Sequence, residues 1–389
     1  MSEGRSPRYL LDVSRLVWRS WRGRPATGID RVCLAYLDWF GARSLLVVQR
    51  RGHILILSRK SSERLRRTLL SSRKPRRIAL LRVLGPALAT AWRSPPRTGM
   101  IYLNVGHTGL DDPSLPPWIA RNHLKAIYLI HDLIPLTHPQ YCRAGEAEKH
   151  GRRMTNALAS AAGVIVNSRV TSEELNRFAS AQRSSIPPCL AAWLGVDRSQ
   201  APDRRPGSRR PYFITVGTIE ARKNHLLLLD AWSALIRTMG KGAPDLVIVG
   251  GRGWEAEEVF GRLDHLGLLS DRVREVSACT DEELTGLIAG ARALLMPSFV
   301  EGFGLPVMEA LGLGTPVIAS DLPVYREIVG NIPTYLEPEN RSAWVATIRA
   351  FTEDGPERAR QLREMSGYKA PTWEEHFRRV EQWLQTIVP

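Results

Sequence analysis

The sequence predicts an α/β protein of two domains, each built on a doubly wound parallel sheet. Short apolar runs alternate with helical patterns along the chain, which is typical of strands joined by crossover helices. The pattern stops once, at the Pro-, Gly- and Arg-rich residues 195–211, which we interpret as a linker. A chain of 389 residues with 43% hydrophobic residues can form two cores of ordinary size.

In the first half, the predicted strands occupy residues 9–13, 44–49, 53–57, 100–105, 125–132 and 163–168. Residues 28–40 carry apolar side chains at helical spacing, which predicts a helix whose N-terminus follows Gly28. In the second half, the predicted strands occupy residues 212–217, 245–251, 273–277, 293–298, 315–320 and 333–337. The expected domains are therefore residues 1–196 and 209–371, with residues 372–389 as a C-terminal helix that returns toward the first domain.

Positive charge is concentrated in the first part of the chain. Residues 1–100 hold 22 Lys and Arg but 5 Asp and Glu, whereas the remaining residues hold 32 and 34. In the densest part, residues 59–92, basic and apolar residues alternate, which suits an anionic membrane surface; a solvated helical face is the alternative. Trp92 is the single aromatic residue of that segment, so nucleic acid is not an expected partner.

The expected location is the cytoplasm, peripheral to the inner face of the cytoplasmic membrane. The cysteines, Cys33, Cys142, Cys189 and Cys279, are too far apart for a C-x-x-C pair, which fits a reducing compartment. Charged residues interrupt the first twenty positions, and no apolar run reaches the roughly 18 residues that cross a bilayer. Neither a secretion signal nor a spanning segment is expected.

The stretch PSFVEGFGLPVMEALGLGTPVIAS, residues 297–320, carries two acids in an otherwise apolar segment. A predicted strand ends at residue 298, a glycine-bearing loop follows, Pro306 is well placed as the first residue of a helix, and Gly312 and Gly314 end that helix. Glu301 then lies on the loop, and Glu309 lies about one turn into the helix. Because open sheets bind ligands beyond the carboxyl ends of their strands, we expect both acids at the rim of a cleft between two facing domains.

The same stretch predicts chemistry. A glycine loop that opens a helix offers free backbone N–H groups and the positive end of the helix dipole, which together attract phosphate. Gly302 and Gly304 let this backbone approach a ligand closely. Glu309 could accept hydrogen bonds from the two hydroxyls of a ribose. Glu301 could stabilise positive charge that develops on a sugar ring during glycosyl transfer.

These residues resemble the signature of the retaining glycosyltransferases of family 4, which have the GT-B architecture of two facing Rossmann-like domains. The E-x7-E spacing in EGFGLPVMEA is followed by GTPVIAS, and further matching segments occur in the order of the family. They are LIHDLIPLTHP (129–139), GVIVNSRVTSEEL (163–175), VGTIEARKN (216–224) and DEEL (281–284). One difference is that residues 14–27 separate the first strand from Gly28, where many relatives have a glycine-rich loop at once.

The resemblance implies a role for each matching residue. Arg222 and Lys223 neutralise the nucleotide diphosphate as it leaves. His131 contacts the donor sugar or carries a proton near the reacting centre. Glu301 acts through charge and binding and is not a covalent nucleophile. The remaining donor-binding positions are Gly28, Gly217, Gly302, Phe303, Gly304, Leu305 and Glu309. No metal and no cofactor are expected, since the sequence has no D-x-D motif.

The sequence therefore predicts a transferase for a nucleotide-diphosphate sugar, with mannose from GDP-mannose as the first choice. The acceptor is a hydroxyl of a glycan or of a polyprenyl-linked oligosaccharide in surface polysaccharide synthesis. UDP-glucose, UDP-galactose and dTDP-rhamnose remain open as donors. The alternatives are a nucleotide-sugar epimerase or hydrolase of the same fold, and a non-catalytic protein whose basic arm binds lipid or RNA.

Overall fold

The computed structural model describes residues 8–23, 27–71, 77–90, 98–197 and 210–387. The chain divides into two compact units. Unit 1 comprises Met1–Leu136, Gly145–Leu194 and Trp373–Pro389, and unit 2 comprises Thr137–Ala144 and Gly195–Thr372. Residues 198–209, most of the predicted linker, lie outside the described residues. The cleft between the domains stays a prediction.

Unit 1 is built on a seven-stranded sheet with the order β3-β2-β1-β4-β5-β6-β7. In chain order its strands are β1 (Tyr9–Asp12), β2 (Ser44–Arg50), β3 (His53–Ile56), β4 (Ile101–Asn104), β5 (Lys125–Ile130), β6 (Ala161–Val166) and β7 (Cys189–Ala191). Neighbouring strands pair in parallel, with the exception of β2 and β3.

The β2–β3 pair corrects the prediction of parallel strands throughout. Arg51 and Gly52 alone separate the two strands, and both have positive φ, at 49° and 78°. A two-residue turn of this kind makes a hairpin, whereas a parallel neighbour needs a connection of about a dozen residues. The edge strand β7 is absent from the prediction because it is only three residues long and follows two prolines.

The helices of unit 1 up to residue 194 are α1 (Ser14–Trp21), α2 (Gly28–Phe40), α3 (Arg59–Leu70), α4 (Arg77–Thr90), α5 (Leu115–Arg121), α6 (Ile134–Thr137), α7 (Glu146–Ser160) and α8 (Arg169–Ala181). The helix predicted at residues 28–40 is confirmed. A capping box starts it, because the Asp30 carboxylate accepts from the Thr27 amide at 2.7 Å while Thr27 caps the helix in return. Tyr102 and Tyr128 are fully buried in the core of this unit.

Unit 2 is built on a six-stranded parallel sheet with the order β10-β9-β8-β11-β12-β13. Its strands are β8 (Tyr212–Val216), β9 (Asp245–Val249), β10 (Val273–Val276), β11 (Leu294–Met296), β12 (Val317–Ser320) and β13 (Thr334–Leu336), and each coincides with a predicted strand. Its helices are α9 (His225–Met239), α10 (Glu257–Asp264), α11 (Asp281–Ala289), α12 (Leu305–Gly312), α13 (Pro323–Val329), α14 (Arg341–Thr352) and α15 (Pro356–Met365). Trp232 and Trp344 are fully buried in its core.

Thr137–Ala144 belongs to unit 2, although the prediction placed residues 1–196 in one domain. Tyr141 stacks on Phe299, with ring centroids 5.1 Å apart and 3° between the ring planes. The guanidinium of Arg143 lies over the Trp254 ring, 5.1 Å from its centroid. These partners are far apart along the chain, so the linear pattern of the sequence does not reveal the contacts.

The last helix, α16 (Trp373–Ile387), belongs to unit 1. The hydroxyl of Tyr36 on α2 lies 2.9 Å from Nε2 of His376. Gly163 on β6 faces the same helix, because a Cβ at this position would lie 2.7 Å from Trp383 and 2.8 Å from Ile387. Helix α16 therefore completes the core of unit 1.

Both sheets have their first strand near the middle. In unit 1 the chain winds from β1 to β2 on one side and then returns to β4 on the other side. In unit 2 it winds from β8 to β9 and then returns to β11. The direction of winding thus reverses between β1 and β4 and between β8 and β11. Ligands of open α/β sheets bind beyond the carboxyl ends of the strands at such a reversal.

The predicted basic segment, residues 59–92, is occupied by α3 and α4, and its residues 72–76 and 91–92 lie outside the described residues. Arg59, Lys60, Arg64 and Arg67 are exposed on α3. Within the described part of the chain, no helix combines the length and the hydrophobicity that crossing a bilayer takes.

We expect Gly163→Ala to lower the free energy of unfolding by about 1–3 kcal/mol, because the added methyl group overpacks the contact between β6 and α16. The control is Gly151→Ala in the middle of α7, where a Cβ would meet Leu136 at 3.7 Å. Alanine favours a helix, so this control should leave stability unchanged or raise it by up to about 1 kcal/mol. Chemical denaturation followed by circular dichroism measures both, and equal stability of the two variants contradicts the packing of α16 on β6.

Candidate functional site

Two loops meet at the winding reversal of unit 2. Residues 217–224 follow β8 and residues 297–304 follow β11. The amide of Phe299 donates to the carbonyl oxygen of Arg222 at 2.8 Å, and the side-chain amide of Asn224 donates to the carbonyl oxygen of Pro297 at 3.2 Å. Because β8 and β11 are neighbours, Arg222 and Glu301, which are 79 positions apart, come within hydrogen-bond distance.

Glu301 is the centre of a buried ion cluster. Its Oε1 accepts from Lys223 Nζ at 2.6 Å and from Ser298 Oγ at 2.7 Å, and its Oε2 accepts from Arg222 Nη1 at 2.6 Å. Nη2 of Arg222 pairs with Oε1 of Glu220 at 2.7 Å. The side chains of Glu301 and Glu220 are 7% and 2% exposed. Two cations therefore face two carboxylates away from bulk water.

The charges in this cluster stabilise one another. Burial raises the pKa of Glu301, but the positive charges of Arg222 and Lys223 outweigh burial and lower this pKa to about 2. At Glu220 burial dominates and the pKa is raised. Burial lowers the pKa of Lys223, and the charge of Glu301 opposes this effect. Glu301 is thus ionised at neutral pH and holds both cations in place.

The position of Glu301 at the rim of a cleft between the domains stays a prediction, but its side chain is only 7% exposed. The carboxylate is buried because two cations and a hydroxyl satisfy its oxygens. Arg222 and Lys223, the expected clamp for the diphosphate, are indeed adjacent, with side chains 21% and 11% exposed. Their role as a clamp stays a prediction. Fixed cations beside a glycine loop can stabilise negative charge without further rearrangement.

Glycines shape the backbone around the cluster. Gly217 follows β8 with a φ of 145°, and a Cβ there would lie 3.3 Å from Cε of Lys223. A Cβ on Gly250, which follows β9, would overlap the carbonyl oxygen of Gly217. The sequence-based prediction did not include Gly250 among the site residues. The pattern G-G-x-G at residues 250–253, directly after a strand, is nevertheless a signal of close backbone approach.

Helix α12 begins at Leu305, one residue before the expected Pro306, and ends at Gly312 as expected. Gly304 precedes the helix with a φ of 127°, and a Cβ there would lie 2.7 Å from the Tyr325 ring. Both the backbone conformation and the available space therefore require glycine at this position.

The other predicted donor-binding residues of this loop and helix differ in exposure. Gly302 and Glu309 are half-buried, and Glu309 lies in the second turn of α12. Phe303 and Leu305 are buried, at 6% and 8% exposure, so they offer a ligand mainly their backbone groups. Their contacts with a donor stay predictions.

His131 follows β5 in unit 1 and is 4% exposed. Its Nε2 lies 2.8 Å from the carbonyl oxygen of Val105, and its ring centroid lies 5.1 Å from that of His107. Burial lowers the pKa of His131 to about 4, so the imidazole is neutral at physiological pH. A neutral ring bound to a carbonyl oxygen can orient a substrate but is a poor proton donor. Among the described residues, no three His, Cys, Asp or Glu side chains are grouped as a metal site requires.

Gly28 is the first residue of α2 and is exposed. The carboxylate of Asp30 already lies at this helix N-terminus, where it accepts from Nε of Arg15 at 2.7 Å and pairs with Nε of Arg19 at 2.6 Å. An acid thus already interacts with the positive end of the helix dipole. A contact between Gly28 and a diphosphate stays a prediction.

Comparison with known proteins decides the class of this chain. Residues 198–369, which include both site loops, match the model of the family described as glycosyl transferases group 1. The O-antigen chain mannosyltransferase B of Escherichia coli is 28% identical over 262 residues, which are 64% of this chain and 67% of that protein. This chain is a GT-B glycosyltransferase.

Two further comparisons concern a second relative in sequence and a solved structure with a similar fold. The serotype-specific mannosyltransferase WbdA of Escherichia coli is 30% identical over 230 residues, so the match spans 55% of this glycosyltransferase but only 28% of that protein. The crystal structure of Anabaena HepE in complex with UDP-glucose has a TM-score of 0.69 at 14% identity, covering 97% of this chain and 99% of that one. At that identity the likeness shows the shared fold.

We expect Gly250→Ala to disrupt the loops around the ion cluster, because its methyl group cannot coexist with the Gly217 carbonyl. The neighbouring variant Gly251→Ala is the matched control, since no atom lies within 4 Å of a Cβ there. Gly250→Ala should lose about 1–3 kcal/mol of stability, measured by thermal unfolding, and any thermal shift given by nucleotide diphosphates. Identical behaviour of the two variants contradicts the close approach of these loops.

Proposed function

We propose that this enzyme is a retaining glycosyltransferase of family 4 that transfers a sugar from a nucleotide diphosphate to a hydroxyl of a glycan or of a polyprenyl-linked oligosaccharide. The observation that carries the proposal is the cluster of Arg222, Lys223 and Glu301 at the winding reversal of unit 2. Two fixed cations, a glycine loop and the N-terminus of α12 offer the charge and the N–H donors that a diphosphate requires.

In the proposed reaction, the bond between C1 of the sugar and the diphosphate oxygen breaks, and C1 forms a bond to the acceptor oxygen on the same face. The acceptor hydroxyl gives its proton to the departing diphosphate. Negative charge grows on the leaving group, where Arg222 and Lys223 stabilise it, and positive charge grows on the sugar ring, where Glu301 favours it. The cations supply the stabilisation without a metal or a cofactor.

We assign Glu309 to the ribose of the donor. The residue lies one turn into α12 and is half-buried. A carboxylate in this position can accept hydrogen bonds from two adjacent hydroxyls, and bonds to a charged acceptor are stronger than those between neutral groups.

We assign GDP-mannose as the donor and surface polysaccharide synthesis as the role. The names of two Escherichia coli relatives support mannose as the sugar, since one is an O-antigen chain mannosyltransferase and the other a serotype-specific mannosyltransferase. The first name also supports the role in surface polysaccharide synthesis. The competing donor is a UDP-sugar, the ligand named for the Anabaena neighbour.

We expect Lys223→Ala to lower kcat for transfer from GDP-mannose to a mannose oligosaccharide by about 100-fold or more, because one of two cations at the leaving group is lost.

Glu309→Ala should weaken nucleotide binding by about tenfold or more. Thermal-shift titrations with GDP, UDP and dTDP measure that binding and identify the base.

The controls for this pair are Lys241→Ala and Glu353→Ala, which remove exposed charges elsewhere in unit 2. Unchanged turnover in Lys223→Ala, or unchanged binding in Glu309→Ala, refutes the assigned roles. Release of free sugar without an acceptor indicates a hydrolase, and conversion of the donor into its epimer indicates an epimerase.

We further propose that α3 and α4 hold the enzyme at the inner face of an anionic membrane. Ile78 and Leu81 on α4 are 61% and 54% exposed and lie three positions apart, hence on one helix face. Exposed Arg77 and Arg82 flank them. Apolar side chains ringed by basic residues are typical of helices that lie in the headgroup region.

The membrane assignment predicts that the double variant Ile78→Ser/Leu81→Ser binds vesicles containing phosphatidylglycerol about tenfold more weakly than the unmodified enzyme. The control is Leu268→Ser, since Leu268 is 71% exposed but lies in unit 2, outside α3 and α4. Sedimentation with vesicles measures binding. Equal binding of the double variant and the control contradicts this assignment.

A further inference from the structure

A pocket of about 360 Å³ in unit 1 is lined by five arginines, Arg15, Arg19, Arg22, Arg50 and Arg51, together with two tryptophans. Helix α1, which supplies the first of these arginines, follows β1, and the other arginines include the last residue of β2. A threonine that follows β4 also lines the pocket. The pocket therefore lies beyond the carboxyl ends of the strands at the winding reversal of unit 1, where open α/β sheets bind ligands.

Local structure brings the arginines together. Arg15, Arg19 and Arg22 follow one another at spacings of four and three positions, which places them on one face of α1 and its C-terminal cap. Arg50 and Arg51 belong to the hairpin between β2 and β3. Like charges four positions apart weaken a helix. Asp30 offsets this repulsion between Arg15 and Arg19, because its carboxylate pairs with both side chains.

Protein contacts fix the orientation of these side chains. Asp30, with a side chain 4% exposed, binds Nε of Arg15 at 2.7 Å and Nε of Arg19 at 2.6 Å. The guanidinium of Arg50 lies over the Trp18 ring, 4.8 Å from its centroid. The indole N–H of Trp18 in turn donates to a carbonyl oxygen of β2 at 2.9 Å. The cationic surface is thus pre-organised by the protein.

The charge of the pocket is not balanced. Among the described residues that line it, five carry a positive charge and none is a carboxylate, while Asp30 behind them supplies one negative charge. Arg22, Arg50 and Arg51 are exposed. Guanidinium groups bind phosphate through paired N–H donors, and a cleft with one sign of charge concentrates the opposite ion.

The pocket adjoins the proposed membrane face of unit 1. Arg77, the first residue of α4, donates from Nε to the carbonyl oxygen of Trp21 at 2.8 Å and lies over the Trp21 ring, 6.0 Å from its centroid. Exposed Ile78 and Leu81 follow on the same helix. A phosphate whose lipid chain lies along α4 can therefore enter the pocket from the membrane surface.

We propose that the arginine pocket binds the phosphate or pyrophosphate group that carries the acceptor. The preference for a phosphate follows from the pocket alone, whereas its assignment to the acceptor rests on the proposed function.

The test compares Arg22→Gln/Arg50→Gln with Arg121→Gln/Arg177→Gln, a pair of exposed arginines elsewhere in unit 1 that gives the same change in net charge. Both are made in a Lys223→Ala background, which weakens the ion cluster of unit 2 as a competing phosphate site. Calorimetry measures binding of inorganic pyrophosphate, and flotation measures binding to phosphatidylcholine vesicles doped with polyprenyl phosphate. Melting temperatures verify that both variants fold.

We expect phosphate binding at least about tenfold weaker in the pocket variant than in the control, since each loses two guanidinium groups but only one loses them from the pocket. If only pyrophosphate binding depends on the pocket arginines, the ligand is a soluble phosphorylated substrate. If only vesicle binding depends on them, the ligand is a lipid-borne phosphate. Equal binding by the two variants in both assays overturns the inference.

The outcome is separable from that of the proposed function. Pocket-dependent phosphate binding by an enzyme that transfers no sugar leaves this inference standing and removes the proposed acceptor. Sugar transfer to an oligosaccharide, by an enzyme whose phosphate binding does not depend on the pocket, supports the proposed function and overturns this inference.

Discussion

The site in unit 2 depends on one buried carboxylate, that of Glu301. Removing a carboxylate from water is costly, and the cost is met only when every oxygen has partners. Arg222, Lys223 and Ser298 provide those partners at 2.6–2.7 Å. Because Arg222 and Lys223 lie on the loop after β8 and Glu301 lies on the loop after β11, their bonds to the carboxylate also fix the two loops against each other. Fold and candidate chemistry thus share a single interaction.

At the winding reversal of unit 1, the buried carboxylate is held by neutral donors and not by cations. Below the arginine pocket, the buried carboxylate of Asp12 accepts from Gln49 at 2.5 Å and from the Tyr102 hydroxyl at 2.9 Å, while its other oxygen accepts from the Ser14 amide at 2.9 Å. Burial raises the pKa of Asp12 to about 6 against these bonds. Neutral donors tie together the ends of β1, β2 and β4, and the positive charges are left at the surface above them. Both units pair cations with a buried acid, but unit 1 also leaves Arg22, Arg50 and Arg51 exposed.

The elements that were predictable are those whose cause lies in neighbouring residues. The six strands of unit 2 follow from apolar runs between helical patterns, and α2 follows from apolar spacing after Gly28 and the Thr27–Asp30 capping box. The loop and helix around Glu301 and Glu309 follow from the positions of glycine and proline. The β2–β3 hairpin was also predictable, because the two residues that connect these strands cannot form a crossover.

The sequence by itself determined two doubly wound units, the position of the glycine loop before α12 and the identity of the charged residues near it. These features depend on local periodicity, on turn residues and on the charge of nearby side chains. Only the tertiary structure decided that Glu301 is buried between Arg222 and Lys223, that Tyr141 stacks on Phe299, and that five arginines of unit 1 enclose one pocket. Each of these depends on which strands become neighbours, and strand adjacency is set by packing of the whole sheet, which no short stretch of residues encodes.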